Sequence, residues 1–268
     1  LGSGVDGIVG ALTVMPNGDL IAVGTFSNAG GVPASRIARW DGSAWSALGS
    51  GLDNTTISLT VMPNGDLIAG GSFTSAGGVP ANRIARWDGS AWSALGSGMD
   101  GVWVFALGVL PNGDLIAGGD FTTAGGVPAN RIARWNGSAW APLGSGIDGT
   151  WVRVFAVMPD GDLIAGGNFT TAGGVSAGNI ARWNGSAWSA LGSGLDNGVR
   201  ALSVLPNGDL IVGGFFTTAG SVPANRIARW NGTAWAPPVS GIDGTVSGLA
   251  TLPNGDLVAC GNFTSAAG

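Results

Sequence analysis

Apolar and polar positions alternate along the chain in short runs, and no stretch shows the helical period. In the segment 199–205, Val199, Ala201 and Ser203 fall on one side and Arg200, Leu202 and Val204 on the other, which is strand periodicity. Pro206-Asn207-Gly208-Asp209 predicts a tight reversal, because Pro presets φ and Asn-Gly tolerates positive φ. A second strand is predicted over 210–216, where a Gly pair signals a close backbone approach or a bulge. A loop over 217–225 leads to a third predicted strand, 226–230. Asn231-Gly232 then turns the chain into a fourth around 234–236.

This pattern recurs along the chain. Gly-Asp-Leu begins at Gly18, Gly65, Gly113, Gly161, Gly208 and Gly255, at spacings of 47, 48, 48, 47 and 47 residues. The Trp of Ile-Ala-Arg-Trp keeps the same rhythm at Trp40, Trp87, Trp135, Trp183 and Trp230, and a second Trp follows at Trp45, Trp92, Trp140, Trp188 and Trp235. The repeats are 1–47, 48–94, 95–142, 143–190, 191–237 and a partial 238–268, read as one domain spanning 1–268. Four antiparallel strands per repeat of this length match a propeller blade, for which roughly 40–50 residues is usual. Such blades bury their faces only by stacking radially on neighbours. The expected fold is therefore all-β: a β-propeller of four-stranded antiparallel blades, six being favoured and five or seven the alternatives.

The first strand occurs six times, but the third and fourth only five, and Leu1-Gly2-Ser3-Gly4 matches only the tail of a fourth strand. The chain also begins at Leu1 without a Met. It is read as an excerpt of a longer array; the alternative is self-association, with another molecule completing the incomplete sixth blade through its unpaired edge.

Composition narrows the chemistry. The chain has no His, Tyr, Lys, Glu or Gln; its 11 basic residues are all Arg and its 16 acidic residues all Asp. A net charge of −5, with arginines recurring singly, argues against nucleic acid, which requires clustered positive charge. Apolar runs such as 102–107 fall well short of the roughly 20 residues that span a bilayer, so no membrane insertion is expected. The single Cys260 forms no internal disulfide.

The common general acids and bases are missing, a Ser-His-Asp arrangement is impossible, and His-based and Cys-cluster zinc sites are excluded. No enzymatic activity is expected; paired Asp carboxylates leave a glycoside hydrolase as a remote alternative. Fourteen of the sixteen Asp recur with the repeat and are read as structural, the exceptions being Asp120 and Asp160. The Asp of Ser-Gly-x-Asp (Asp6, Asp53, Asp100, Asp148, Asp196, Asp243) is weighed as a Ca²⁺ ligand. A turn cap is preferred, and no cofactor is assigned. Arg39, Arg86, Arg134, Arg182 and Arg229 have two readings. They tie adjacent blades through the Gly-Asp-Leu carboxylate, or they line once-per-blade sugar sites with a Trp face.

Two positions break the repeat. Six residues before the hairpin Pro stand Gly10, Ile57, Phe105, Arg153, Arg200 and Ser247; eight before it stand Ile8, Thr55, Trp103, Trp151, Gly198 and Thr245. Variation beside near-constant neighbours signals freedom from packing demands. Trp103, Phe105, Trp151, Arg153 and Arg200 are the candidate ligand-binding residues, expected near one mouth of the propeller channel. Asn54, Asn136, Asn168, Asn184, Asn231 and Asn262 head N-glycosylation acceptor patterns, relevant only in a secreting eukaryote.

Gly70-Gly71 closing a second strand and Trp87 ending a third resemble Kelch-type blades. The wording from Gly70 to Gly78 and from Arg83 to Trp92 resembles more closely the bacterial delta-60 repeats and the cortical-marker propellers of fungal cell surfaces. The chain departs from delta-60 repeats in carrying Trp40 and its equivalents where those tend to have Leu. The resemblance implies a secreted or surface protein without a known reaction; other protein chains or surface glycans are the expected partners. The expected function is a non-enzymatic extracellular structural, adhesion or protein-interaction propeller. The alternative is a lectin-like carbohydrate-binding propeller with once-per-blade sites.

Overall fold

The computed structural model describes residues 1–238 and 241–266. The chain divides into two compact units, Leu1–Pro142 and Leu143–Gly268. Its regular structure is all strand among the described residues, and none has a helix long and apolar enough to cross a membrane. The last two residues, where the sixth repeat's predicted loop ends, lie outside the described residues.

In the first unit, the second repeat folds as Thr56–Val61, Leu67–Gly71, Ile84–Trp87 and Trp92–Ala94, antiparallel and paired in chain order. The first and third repeats form equivalent four-stranded sheets. In the second unit, the fifth repeat forms Val199–Val204, Leu210–Gly214, Ile227–Trp230 and Trp235–Ala236. The fourth repeat extends its first hairpin to Ile147–Val157 and Leu163–Ala172, and the sixth contributes Thr245–Thr251 and Leu257–Asn262.

The predicted hairpin forms for the predicted reason. Gly65 sits at φ 89°, its N–H donates to Met62 O at 2.9 Å, and the Met62 N–H donates to Asp66 O at 2.8 Å. Asn64 Oδ1 accepts the Asp66 N–H, and Asn64 Nδ2 donates to Asp66 Oδ2 at 2.7 Å. The segment expected as a plain loop instead carries a small ladder, Thr218–Ala219 with Val222–Pro223. Beyond that ladder, Arg36, Arg83, Arg131 and Arg226 adopt positive φ, a costly backbone for a long side chain. Their guanidinium groups donate to a nearby Phe carbonyl, as from Arg83 Nη1 to Phe73 O at 3.2 Å. In the fourth repeat Asn179, a residue better suited to this conformation, takes the place.

Packing explains why the second strand reads as an unbroken apolar run. Successive side chains point to opposite faces. Leu67 and Ala69 therefore pack with Ile21, Val23 and Ile37 of the first blade, while Ile68 packs with Leu115, Ala117 and Phe121 of the third. Every residue of Leu67–Gly71 is buried. The second unit repeats the scheme, with Ile164 and Ile180 against Leu210, Val212 and Phe216. Phe73, Phe121, Phe169 and Phe216 are fully enclosed, each burial stabilising by about 2–3 kcal/mol.

The second Trp of each repeat ties its fourth strand back to the residue that opens the same repeat. Trp92 Nε1 donates to Leu48 O at 3.0 Å, Trp140 to Leu95 O at 2.9 Å, and Trp235 to Leu191 O at 2.8 Å. Trp45 donates likewise to Leu1 O, so Leu1 occupies the place of Leu48, as expected from the tail of a fourth strand. These indoles are buried and packed on the first Trp of their own repeat, with ring centroids 5.0 to 5.6 Å apart.

Candidate functional site

Most of the ionisable side chains are engaged in ties within their own blade. Arg86 Nε pairs with Asp66 Oδ2 at 2.6 Å, and Arg39 with Asp19 at the same distance. Arg134 pairs with Asp114, and Arg229 with Asp209. The carboxylate is that of Gly-Asp-Leu, as expected, but the pair closes within one blade and does not join adjacent blades. The reason is local: the third strand runs beside the second, so its Arg lies next to its own hairpin. In the fourth blade, Asp160 replaces the turn Asn and Arg182 engages both Asp162 and Asp160. The hydrogen bond with Asp162, before the charge itself, raises the Arg182 pKa.

The Asp of Ser-Gly-x-Asp caps the loop after the second strand. Asp53 accepts the Thr74 N–H at 2.8 Å, the Thr74 hydroxyl at 2.6 Å and the Ser75 N–H at 3.1 Å. Asp100, Asp196 and Asp243 make the same set. The Asn28 backbone N–H is the main cause that holds Asp6 down at about 2. Asp41 and Asp88 close small turns and are also held at about 2, chiefly by the N–H of Ala44 and Ala91. The stabilisation from these carboxylates is complete above their ordinary range and is lost as pH falls toward about 2. Among the described residues, no three Asp or Cys side chains converge as metal ligands.

The positions that break the repeat have a common backbone cause. The first and second strands slip register between Val9 and Ala11, Thr56 and Ser58, Val104 and Ala106, Val152 and Val154, Val199 and Ala201, and Val246 and Gly248. The residue skipped each time is Gly10, Ile57, Phe105, Arg153, Arg200 or Ser247. Each varying residue is therefore the extra residue of a β-bulge, without a place in the ladder. The residue two before it presses its carbonyl against the second Gly of the pair. A Cβ on Gly71 would lie 2.2 Å from Thr55 O, one on Gly119 2.1 Å from Trp103 O, and one on Gly167 2.2 Å from Trp151 O. The contact is made by the carbonyl, so it requires the Gly but does not depend on which side chain the facing residue carries.

Trp103 and Phe105 belong to the first unit, and Trp151, Arg153 and Arg200 to the second; all five are half-buried. Trp103 stacks on Phe105 with centroids 5.7 Å apart and planes 12° from parallel. Arg200 lies over the Phe215 ring, its guanidinium carbon 4.6 Å from the centroid. Burial first, and the charge of Arg200 second, lower the Arg153 pKa, which places the two guanidinium groups within electrostatic reach. Trp151 sits across from Asn168 in its strand pair.

Two contributors were not among the candidates, Asp120 and Phe215. Asp120 Oδ1 accepts the N–H of Val102 at 2.8 Å and of Trp103 at 2.9 Å, which fixes the backbone that presents the indole. Phe215 supplies the ring under Arg200. They occupy one repeat position, which reads Thr25, Ser72, Asp120, Asn168, Phe215 and Asn262. Its variation was the available signal.

Blades of four antiparallel strands, repeated with the same internal ties, define a β-propeller repeat protein. Residues 16–40, 63–87, 110–137, 159–185 and 205–232 match the family described as a domain of unknown function (DUF5122) β-propeller. No curated protein matches the sequence. Among solved structures, the chain is similar to a catalytically inactive histidine-to-alanine form of virginiamycin B lyase from Staphylococcus aureus, with quinupristin. The TM-score is 0.60 at 12% identity, covering 96% of this chain and 85% of the other. It is similar also to the WD40 β-propeller domain of Doa1, with TM-score 0.54, 15% identity and coverage of 96% and 90%. A third is PorZ, an essential bacterial surface component of the type-IX secretion system of Porphyromonas gingivalis, with TM-score 0.58 and 14% identity. That match covers 97% of this chain but 40% of PorZ. At these identities the likeness is one of fold.

Proposed function

We propose that the protein is a non-enzymatic, extracellular interaction propeller that contacts its partners through the bulge residues. The observation that carries this is the division of labour within each blade. Recurrent Asp, Arg and Trp side chains are engaged in internal ties, whereas each bulge sets one residue per blade outside the strand ladder. At the bulges stand the Trp103–Phe105 stack and the Arg200–Phe215 pair, the residue types that dominate binding surfaces. Surface location is supported by the PorZ likeness and by the wording shared with delta-60 repeats and cortical-marker propellers. The absence of chemistry is supported by the residue inventory: the inactive form of the Staphylococcus aureus lyase is a histidine variant, and this chain has no His.

Attachment of beads coated with the domain to cells of its source tests the reading. Beads carrying the wild type are expected to attach. Beads carrying Trp103→Ala with Phe105→Ala, or Arg153→Ser with Arg200→Ser, are expected to lose most of that attachment. Equal attachment of wild-type and both doubly substituted beads refutes it.

A further inference from the structure

A cleft of about 370 Å³ opens between the second and third blades of the first unit, away from the bulges. Small-molecule sites run from roughly 300 to 1,000 Å³, so its size suits a ligand. The equivalent cleft between the first and second blades encloses about 150 Å³ and falls below that range. The larger one is lined by Met62, Arg86, Leu95, Asn112, Asp114 and Trp135, among others. Its walls combine apolar surface with a dense set of directional polar groups.

Those polar groups are held in place before any ligand arrives. Arg86 Nε is fixed by Asp66 at 2.6 Å while its side chain remains 45% exposed, and a guanidinium has five N–H donors. Asn112 Nδ2 donates to Asp114 Oδ2 at 2.9 Å, which leaves the amide its second hydrogen. Asp114 is also paired with Arg134, at 3.3 Å, and Asp66 with Arg86, so each carboxylate in the cleft already faces a cation. The site therefore offers donors and acceptors without net charge. Trp135, half-buried against Trp140, adds an aromatic wall.

We propose that this cleft binds a neutral saccharide. A sugar ring has C–H faces that suit an indole and rim hydroxyls that need the fixed amide, carboxylate and guanidinium groups. Ligands with a net charge gain nothing from the paired ions. The site is distinct from the bulges, so it does not depend on the interaction reading above.

Titration calorimetry with maltohexaose, cellohexaose, xylohexaose, mannohexaose and chitohexaose tests it on the full chain. At least one is expected to bind saturably. Trp135→Ala is expected to weaken that binding about tenfold, the loss of one aromatic contact. Because Trp135 packs on Trp140, Arg86→Gln provides a second variant, whose amide can still donate to Asp66; it is expected to weaken binding severalfold, and thermal unfolding shows whether it remains folded. The proposal is overturned if none of the five binds, or if binding survives in a folded Arg86→Gln and Trp135→Ala pair. It is overturned also if binding is lost on Trp103→Ala or Arg200→Ser instead, which would move the sugar to the bulges. Bead attachment is read separately, so either reading can fail without the other.

Discussion

The two ends of each first strand make an instructive contrast. At the hairpin end, Asn64, Asp66 and Arg86 hold one another through side-chain atoms, and the same types return in blade after blade. At the bulge end, Thr55 meets Gly71 through a backbone carbonyl, and Ile57 has no ladder partner. There, Ile57 gives way to Phe105, Arg153 or Ser247 without changing the strand pairing. A contact made by side chains fixes sequence on both sides. A contact made by backbone fixes only the residue that must stay small. The bulge is thus the place in the blade where chemistry can be changed at little structural cost.

Breaking the backbone contact should have the largest effect. Gly71→Ala puts a methyl group 2.2 Å from Thr55 O, and relief requires moving a strand; the expected cost is about 3 kcal/mol, measured by chemical denaturation. An unchanged midpoint would show that the carbonyl contact is not obligatory. Next in size is the hairpin end. Asp66→Ala removes the acceptor of both Asn64 Nδ2 and Arg86 Nε at a buried position and should cost about 2 kcal/mol by the same measurement. The smallest effect belongs to the bulge itself. Ile57→Arg, which installs the residue of the fourth and fifth blades in the second, should change stability by no more than about 0.5 kcal/mol. A larger loss would erase the distinction between the two ends.

The sequence by itself determined the four-strand blade, its hairpin chemistry and the places where variation falls, because strand alternation and Asn-Gly turns are local properties written into neighbouring residues. Even the partner of Arg86 was legible as the Gly-Asp-Leu carboxylate, although not that the pair closes within one blade. The tertiary structure alone decided why position 57 and its equivalents vary. A bulge is a mismatch in register between two strands, and register is a relation between segments that neither one encodes alone. For the same reason Asp120 was visible only as an odd carboxylate until folding brought it to the N–H of Trp103. The cleft beside Trp135 likewise exists only once two blades stack, since each contributes part of its wall.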